Sequence, residues 1–467
     1  MPAPAWRNAW SPGWWVLCVA AVAAGWCAGD DVGFRDSGEL GAAGFALGVA
    51  HPTGFALDLL LLRAASLVPL GHVAFRQNAL TALEAALCLA LLAQIAWLLA
   101  QRAAAHGWAA RIAAALIPVA ALCGWATFVQ SALATEVYML SLCAVALAVY
   151  GCLLGGRARA LALCVLGLAP GLHVTAGLYA GLLVVVSCFG QGLRAGTRFV
   201  ALRTPALLAC LLVTAYLPLA SRRQPPIDWG DPETLGGVLA HLSAARIRSA
   251  YRADMLTAAP DATYHVVAQW LELWPLLGLA LLALALGLRR DRIAALGPAA
   301  LIAADLAYAA WINPMGAVDR QVGHVAGAAL AVLAGVGGAL LCTRVPPRWQ
   351  WPALGAVVVF AAAALLRLPP EARADGYAAS ELVGSAGALS ALPPRSILIC
   401  SDDDSCAGGL FALHVEAVRP DVSIAPAQHL WDPTVRRLLY ATSLQHGTGP
   451  SVDDRARAAT LAVRRLA

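Results

Sequence analysis

Two carboxylates, Asp36 and Glu39, directly follow the first long apolar run of the chain. Their spacing would put both on one face of a helical turn, and the intervening Ser37-Gly38 permits a helix to start there. A carboxylate at such a place can take the proton from an attacking hydroxyl group. The alternative is a solvated acidic loop, which the spacing alone slightly favours. Which of the two holds decides whether the chain is an enzyme.

Two histidines could serve the same chemistry. His51 begins the turn sequence His-Pro-Thr-Gly at 51–54 and could bind a phosphate or donate a hydrogen bond, although an exposed turn is the simpler interpretation. His173 lies in the middle of an apolar run, where polar side chains are costly and usually functional. A buried histidine satisfied by a neighbouring helix explains His173 equally well.

Further candidates lie at the start of a later span and in a second polar loop. Glu136 could cap the helix that follows it or face a cavity. Arg222 and Arg223 have guanidinium groups that suit phosphate oxygens, and Trp229 and Asp231 follow them in the same loop. Asp231 also precedes a proline, so it is predicted to be the N-cap of a helix without excluding a binding site.

The composition identifies the environment in which these residues act. The chain has 467 residues, of which 60% are hydrophobic and 13% charged, against about 25% charged residues in soluble domains. Several apolar runs reach the length of about 20 residues that a membrane span needs. The net charge of +5 gives no reason to expect nucleic acid as a partner.

The apolar runs and their flanking arginines predict an all-α polytopic membrane protein. Pro170-Gly171 divides the long run 160–189, and all arginine-rich loops fall on one side only if this run crosses twice. This gives about 11 spans, with the N-terminus cytoplasmic and the C-terminus outside. The runs lie near 12–29, 76–100, 112–130, 136–154, 160–189, 205–220, 266–288, 293–311, 321–342 and 350–368.

The pattern therefore predicts two domains. Residues 1–370 form the transmembrane domain, with outer loops at 30–75 and 221–265, and the apolar stretch 55–70 is expected to be an interfacial helix. Residues 371–467 form a small tail outside the membrane.

The tail has the pattern of a small β-α-β unit, with a strand ending at Cys400, a helix over 410–418 and a second strand from about 420. The three consecutive aspartates at 402–404 are interpreted as a solvated strand end. Cys400 and Cys406 are interpreted as a chance pair rather than a disulfide. The sequence contains no Cys/His spacing typical of a metal site.

The ordered motifs resemble a known family of membrane proteins whose animal member is an endoplasmic-reticulum protein O-mannosyltransferase acting on plexin-type receptors. The similar segments are 36–39, 51–54, 76–78, 135–138, 171–175, 225–232, 392–394 and 418–422. The chain departs from the family pattern at Ala220, where the family carries an arginine. It also departs at Cys406-Ala407-Gly408-Gly409, where polar and aromatic residues are usual.

The resemblance implies a C-type glycosyltransferase, a helical bundle that uses a polyprenyl-phosphate-linked sugar. It implies an inverting transfer of a sugar, with mannose the candidate, to a protein or glycan hydroxyl on the outer face. Asp36 would be the base, with Glu39 second, and His51, Arg222 or Arg223 would stabilise the leaving phosphate. The expected location is a bacterial inner membrane with a periplasmic tail. No cofactor or metal is predicted, although a divalent metal stays open.

Two alternatives belong to other functional classes. A transporter or flippase of a lipid-linked saccharide would show charges near the bilayer midplane and internal repeats. The chain has few charges within its predicted spans, and no convincing repeat is visible. An inactive membrane scaffold is the other alternative, and the sequence does not distinguish it from an enzyme.

Overall fold

The structure is a computed structural model, and it describes residues 12–33, 35–189, 192–250, 252–288, 292–313, 321–346, 348–352, 354, 355, 387–427 and 430. Within these ranges the chain is mostly helical. The helices before the second polar loop are α1 Pro12–Cys27, α2 Ser37–Ala46, α3 Ala56–Ser66, α4 Val73–Arg102, α5 Trp108–Cys123, α6 Ala126–Leu133, α7 Tyr138–Leu154, α8 Ala160–Leu168, α9 Thr175–Val184, α10 Leu193–Ala201, α11 Thr204–Leu211 and α12 Tyr216–Ser221.

The remaining elements continue the bundle and then form the tail. They are α13 Leu235–Leu242, α14 Ala245–Ala250, α15 Arg252–Leu271, α16 Trp274–Leu282, α17 Arg292–Trp311, α18 His324–Cys342, β1 Ile397–Cys400, α19 Asp403–His414 and β2 Ser423–Pro426. The main core lies between α4, α5, α7, α9 and α18, where leucine, valine and many alanines allow close packing.

Three helices in the described part are each long and apolar enough to cross a membrane: Val73–Arg102, the composite Thr204–Ser221 and His324–Cys342. The predicted runs 112–130 and 266–288 are instead bent pairs, with angles of 78° and 74° between their halves. Counting each bent pair as one span gives up to five. These helices are those of an integral membrane protein, while the total of about 11 spans stays a prediction.

The predicted break in 160–189 is present. A 3₁₀ turn at Ala169–Gly171 ends α8, and α9 begins at Thr175 and packs against α8 as a short helical hairpin. The stretch 55–70 contains a helix, α3, over Ala56–Ser66, while its interfacial position stays a prediction. The predicted run 350–368 lies mostly outside the described residues.

The first polar loop is tied to the start of α4 by two amide side chains. Asn78 Nδ2 donates to the carbonyl oxygens of Gly29 and Asp31 at 3.0 and 2.8 Å, and its Oδ1 accepts from Thr135 Oγ at 2.8 Å. Gln77 Nε2 donates to Gly41 O at 2.9 Å. Gln77 and Asn78 of the 76–78 motif therefore hold the first polar loop, which contains α2 and α3, against the start of α4.

The second polar loop corrects one prediction. Helix α13 begins at Leu235, and its N-cap is Thr234, which accepts a hydrogen bond from Gly237 N at 3.1 Å. The predicted cap at Asp231 is wrong, because this residue has a φ of 51° and its Oδ1 accepts instead from Ser221 Oγ at 3.3 Å.

The two polar loops are joined by their backbones. Val49 N donates to Ile227 O at 2.8 Å, and Trp229 N donates to Val49 O at 3.1 Å, so the two segments pair in parallel around Asp228. This pairing lays the second loop along the turn that carries His51.

The tail has the predicted β-α-β order, with β1 and β2 parallel and α19 between them. Two expectations for it are wrong. Cys400 and Cys406 form a disulfide. The aspartates at 402–404 are not a solvated strand end, because Asp402 caps α19 by accepting a hydrogen bond from Ser405 N at 2.8 Å. Asp404 accepts a hydrogen bond from Arg35 N at 2.5 Å. The acids therefore begin a helix that packs on α2.

Candidate active site

The two acids of the opening motif lie at the start of α2, as predicted. Asp36 occupies the N-cap position, but its side chain makes no capping hydrogen bond, and Glu39 lies in the first turn. The Asp36 carboxylate is thereby available to neighbours outside its own helix. Its side chain is about 23% exposed, whereas that of Glu39 is about 11% exposed. Asp36 is the more accessible of the two acids.

His51 lies between these carboxylates. Its Nδ1 is 3.2 Å from Glu39 Oε1, and its Nε2 is 3.8 Å from Asp36 Oδ2. The backbone N of His51 also donates to Glu39 Oε1 at 2.7 Å. Burial alone would lower the pKa of His51, but the negative charges of Glu39 and then Asp36 outweigh it and raise the pKa to about 10. His51 is therefore a cation at neutral pH.

Glu136 completes a group of four, which we name the acidic cluster: Asp36, Glu39, His51 and Glu136. Glu136 directly precedes α7, whose N-cap position is Val137, and its carboxyl group accepts a hydrogen bond from the Val137 backbone, so it lies at the helix N-terminus without being the N-cap residue. Burial first, and then the charge of Asp36, raise the pKa of Glu136 to about 8, against the opposing effects of Arg35 and His51. Glu136 is therefore protonated at neutral pH.

Two groups that the sequence did not single out also reach the acidic cluster. Gln321 Nε2 donates to Asp36 Oδ2 at 3.3 Å, although the residues are 285 positions apart. Arg35 directly precedes Asp36 and has a φ of 62°, and its positive charge acts on Glu136. The position of Gln321, a polar residue at the start of the predicted span 321–342, was the signal that could have identified it.

An aromatic wall borders the acidic cluster. The ring of His173 stacks on Phe55 with centroids 5.9 Å apart, and Phe55 also meets the ring of His51 edge-on at 5.1 Å. Tyr138 stacks on His324 at 5.2 Å and lies 5.6 Å from His173. The predicted site residue His173 is thus brought next to the cluster, and His324 and Tyr138 join it.

His173 and His324 are held by hydroxyl groups. His173 Nδ1 lies 2.7 Å from Thr175 Oγ, and its backbone N donates to Ser141 Oγ at 3.0 Å. His324 Nε2 lies 3.0 Å from Ser131 Oγ. Both imidazoles therefore have fixed orientations beside Tyr138.

The start of α18 is anchored by an acid from α17. Asp305 Oδ2 accepts from Ala326 N at 2.7 Å, and its Oδ1 accepts from Tyr179 OH at 2.7 Å. A carboxylate at a helix N-terminus satisfies backbone N–H groups that the helix itself leaves open. This contact fixes the turn that carries Gln321 and His324.

A small cavity opens between these groups, lined by Tyr138, His173, Asp305, Tyr308, Gln321 and His324 among others. Its volume of about 30 Å³ accommodates one or two water molecules rather than a sugar.

The remaining predicted residues lie elsewhere. Arg222 and Arg223 are exposed at the end of α12, where Arg222 Nη2 donates to Glu233 O at 3.2 Å. Trp229 is buried and, with Pro52 and His241, lines a second small pocket between the polar loops. Asp231 bonds to Ser221. The structure therefore does not join these four residues to the acidic cluster.

Within the described residues, no three or more His, Cys, Asp or Glu side chains are grouped so that they could hold a metal ion. The expectation that no metal is bound stays a prediction. The acidic cluster has one partly exposed carboxylate, a cationic imidazole and a protonated carboxylic acid side by side. Such an arrangement can accept a proton at one atom and stabilise developing negative charge at another.

Fold and site together define a helical integral membrane protein whose acidic site lies where α2 and the N-terminal ends of α7 and α18 meet. Residues 36–194 match the family model described as the protein O-mannosyl-transferase TMEM260 N-terminal domain. This match confirms the resemblance noted in the sequence, and it begins at Asp36 and includes Glu39, His51, Glu136 and His173. We found no match among curated proteins and none among solved structures.

Proposed function

We propose that this protein is an inverting membrane glycosyltransferase that moves a sugar, with mannose the candidate, from a polyprenyl-phosphate carrier to a protein or glycan hydroxyl. The family match supports the class of reaction. The observation that carries the assignment to a site is the accessible carboxylate of Asp36, oriented by Gln321 and His51. Reaction at the outer face of a bacterial inner membrane is part of the proposal.

In the proposed reaction, Asp36 takes the proton of the acceptor hydroxyl as its oxygen attacks the anomeric carbon. The bond from that carbon to the carrier phosphate breaks, and the phosphate leaves with the electron pair. Positive charge near the departing oxygens lowers the barrier. His51 is the better supported cation, because it lies beside Asp36 and is charged at neutral pH, whereas Arg222 and Arg223 are exposed at the end of α12.

Glu136 deepens the proposal. Two neighbouring acids whose surroundings separate their protonation states are typical of acid–base sites. Because Glu136 is protonated, it adds no negative charge next to Asp36. The negative charge near the proposed phosphate site is therefore smaller than it would be with three ionised acids. The tail disulfide supports exposure of the tail to an oxidising compartment.

The test is transfer from polyprenyl-phosphate-mannose in membranes that contain the wild type, Asp36→Asn or Asp30→Asn. Asn has the shape of Asp but accepts no proton, so Asp36→Asn is expected to lose nearly all transfer. Asp30→Asn makes the same change at an exposed position of the same loop and should keep it. Equal transfer by the wild type and Asp36→Asn would contradict the role of Asp36.

A second measurement addresses the orientation and the alternative of a flippase. A cysteine in place of Asp30, reacted with a membrane-impermeant maleimide, should label from the outer side of intact cells. Labelling only from the cytoplasmic side would contradict the topology. Movement of a lipid-linked sugar across vesicle membranes without any transfer would favour the flippase instead.

A further inference from the structure

The tail helix α19 lies directly against the helix that carries the acids. An ideal Cβ on Gly38 would lie 2.2 Å from Ala407 O and 2.8 Å from Gly408 N, so the two backbones touch. A Cβ on Gly41 would lie 3.0 Å from the ring of Phe411, which is fully buried at this contact. Small residues are therefore required on both helices.

This contact explains the departure from the family pattern at 406–409. Cys406, Ala407, Gly408 and Gly409 are all buried. The backbone of Ala407 and Gly408 is the part of this segment that lies against Gly38 on α2. In this chain the segment therefore serves helix packing.

A hydrogen bond from the tail reaches the residue next to Asp36. Arg35 N donates to Asp404 Oδ1 at 2.5 Å, and Arg35 is held in the left-handed region, with a φ of 62°. A non-glycine residue keeps such a backbone conformation only when its surroundings fix it. Asp404 accepts the hydrogen bond of the Arg35 N–H group and thereby fixes the direction of the backbone immediately before Asp36.

The disulfide fixes the first turn of α19. Cys406 is one turn into the helix, two residues after Asp404, and it is bonded to Cys400 at the end of β1. Asp402, between the two cysteines, caps the same turn. The strand and the disulfide together hold Asp404 at a constant place relative to the body of the tail.

We propose that Asp404 is a positioning residue for Asp36, and that the Cys400–Cys406 disulfide keeps it in position, so that full activity requires the oxidised tail. The proposal rests on the proposed function for its activity readout only. Reduction with dithiothreitol would convert the S–S bond into two thiols, with the reagent oxidised to its cyclic disulfide. Reduction is expected to make the backbone around Arg35 and Asp36 less ordered and to leave donor binding unchanged.

The first test compares Asp404→Ala, Asp404→Asn and Asp402→Ala. Asp404→Ala should lower kcat about 10- to 100-fold with little change in KM for the donor, since small displacements of reacting groups cost that much. Asp404→Asn keeps an acceptor oxygen and should recover most of the rate. Asp402→Ala removes the cap of the same helix but not the contact with Arg35, and it should stay within a few-fold of the wild type.

A readout independent of transfer is hydrogen exchange of the segment 35–46. Its amides should exchange faster in Asp404→Ala than in Asp402→Ala. If the wild type transfers no sugar but this difference is seen, the proposed function fails and the positioning role stands. Equal exchange and equal kcat in the two alanine variants would overturn the role of Asp404.

The disulfide is tested with the double variant Cys400→Ser/Cys406→Ser. Dithiothreitol should lower transfer by the wild type and speed exchange in 35–46, whereas the double variant should already show both effects and not respond further. The other cysteines are present in both proteins, which controls for reactions at them. A wild type that ignores complete reduction of the tail would refute the dependence on the disulfide.

Discussion

Glu136→Gln tests whether the acid beside Asp36 carries a proton at neutral pH. Glutamine has the shape of a protonated glutamic acid but cannot ionise, so it should fit the buried position without the cost of a charge. In the folded protein the pKa of Glu136 is about 8, raised by burial and by Asp36, against an ordinary value of 4.5. The variant is therefore expected to be more stable than the wild type.

The size of the effect follows from proton binding. Below pH 4.5 Glu136 is protonated in both the folded and the unfolded chain, so the stability of the wild type is not reduced by this group there. The stability of the wild type falls as the pH rises from 4.5 towards 8. Between these values only the folded chain holds the proton, and each pH unit disfavours folding by about 1.4 kcal/mol. At pH 7 the wild type should therefore carry a cost of about 3 kcal/mol that Glu136→Gln lacks.

The assay is thermal unfolding of both proteins in detergent, followed by tryptophan fluorescence at pH 5, 6, 7 and 8. The midpoint of Glu136→Gln should exceed that of the wild type by an amount that grows with pH. Glu233→Gln, which removes the same charge from the second polar loop, is the matched control. A difference that stays constant from pH 5 to 8 would show that Glu136 is ionised in the folded state.

Two further predictions concern the surroundings of the acidic cluster. Asn78→Ala should lower the free energy of unfolding by about 3 kcal/mol, measured in the same assay, because it leaves the carbonyls of Gly29 and Asp31 without their donor; an unchanged midpoint would contradict this anchoring role. His51→Gln keeps a donor but removes the cation, so transfer should fall about 10- to 100-fold, as expected for hydrogen bonds to charged groups. Because the pKa of His51 is about 10, wild-type transfer should show no loss from His51 deprotonation between pH 6 and 9, and a decline centred near pH 6.5 that is absent from His51→Gln would contradict its charge.

The sequence identified the members of the acidic cluster as candidates because they are close along the chain or next to the ends of predicted spans. Asp36, Glu39 and His51 belong to one loop, and a helix start at Ser37 follows from local residue preferences. Glu136 directly precedes α7. Local spacing was enough to nominate these residues, although not to give their protonation states, which depend on burial.

The other side of the site depended on packing that no local pattern contains. Gln321 reaches Asp36 only because α18 lies beside α4, α5 and α7 and its first turn is held by Asp305. Conversely, Arg222 and Arg223 have suitable chemistry, but they are exposed at the end of α12, where Arg222 donates to Glu233 O. The charge of a residue can make it a candidate for the site, but only the fold determines which candidates lie close together.

The tail shows the same limit in a different form. The alternation of strand, helix and strand was visible in the sequence, but the reason for Cys406-Ala407-Gly408-Gly409 was not. Small residues have no pattern of their own that reveals a partner. Their use became clear only from the contact with Gly38, which is itself part of the first motif.

The bond from Asp305 to the first turn of α18 also makes one side chain responsible for the alignment of two helices. The carboxylate joins α17 to α18 directly, and its other oxygen accepts from Tyr179 of α9. Three helices therefore meet at a single acid behind the aromatic wall, so a change at Asp305 is expected to disturb Tyr308 and His324 together rather than either one alone.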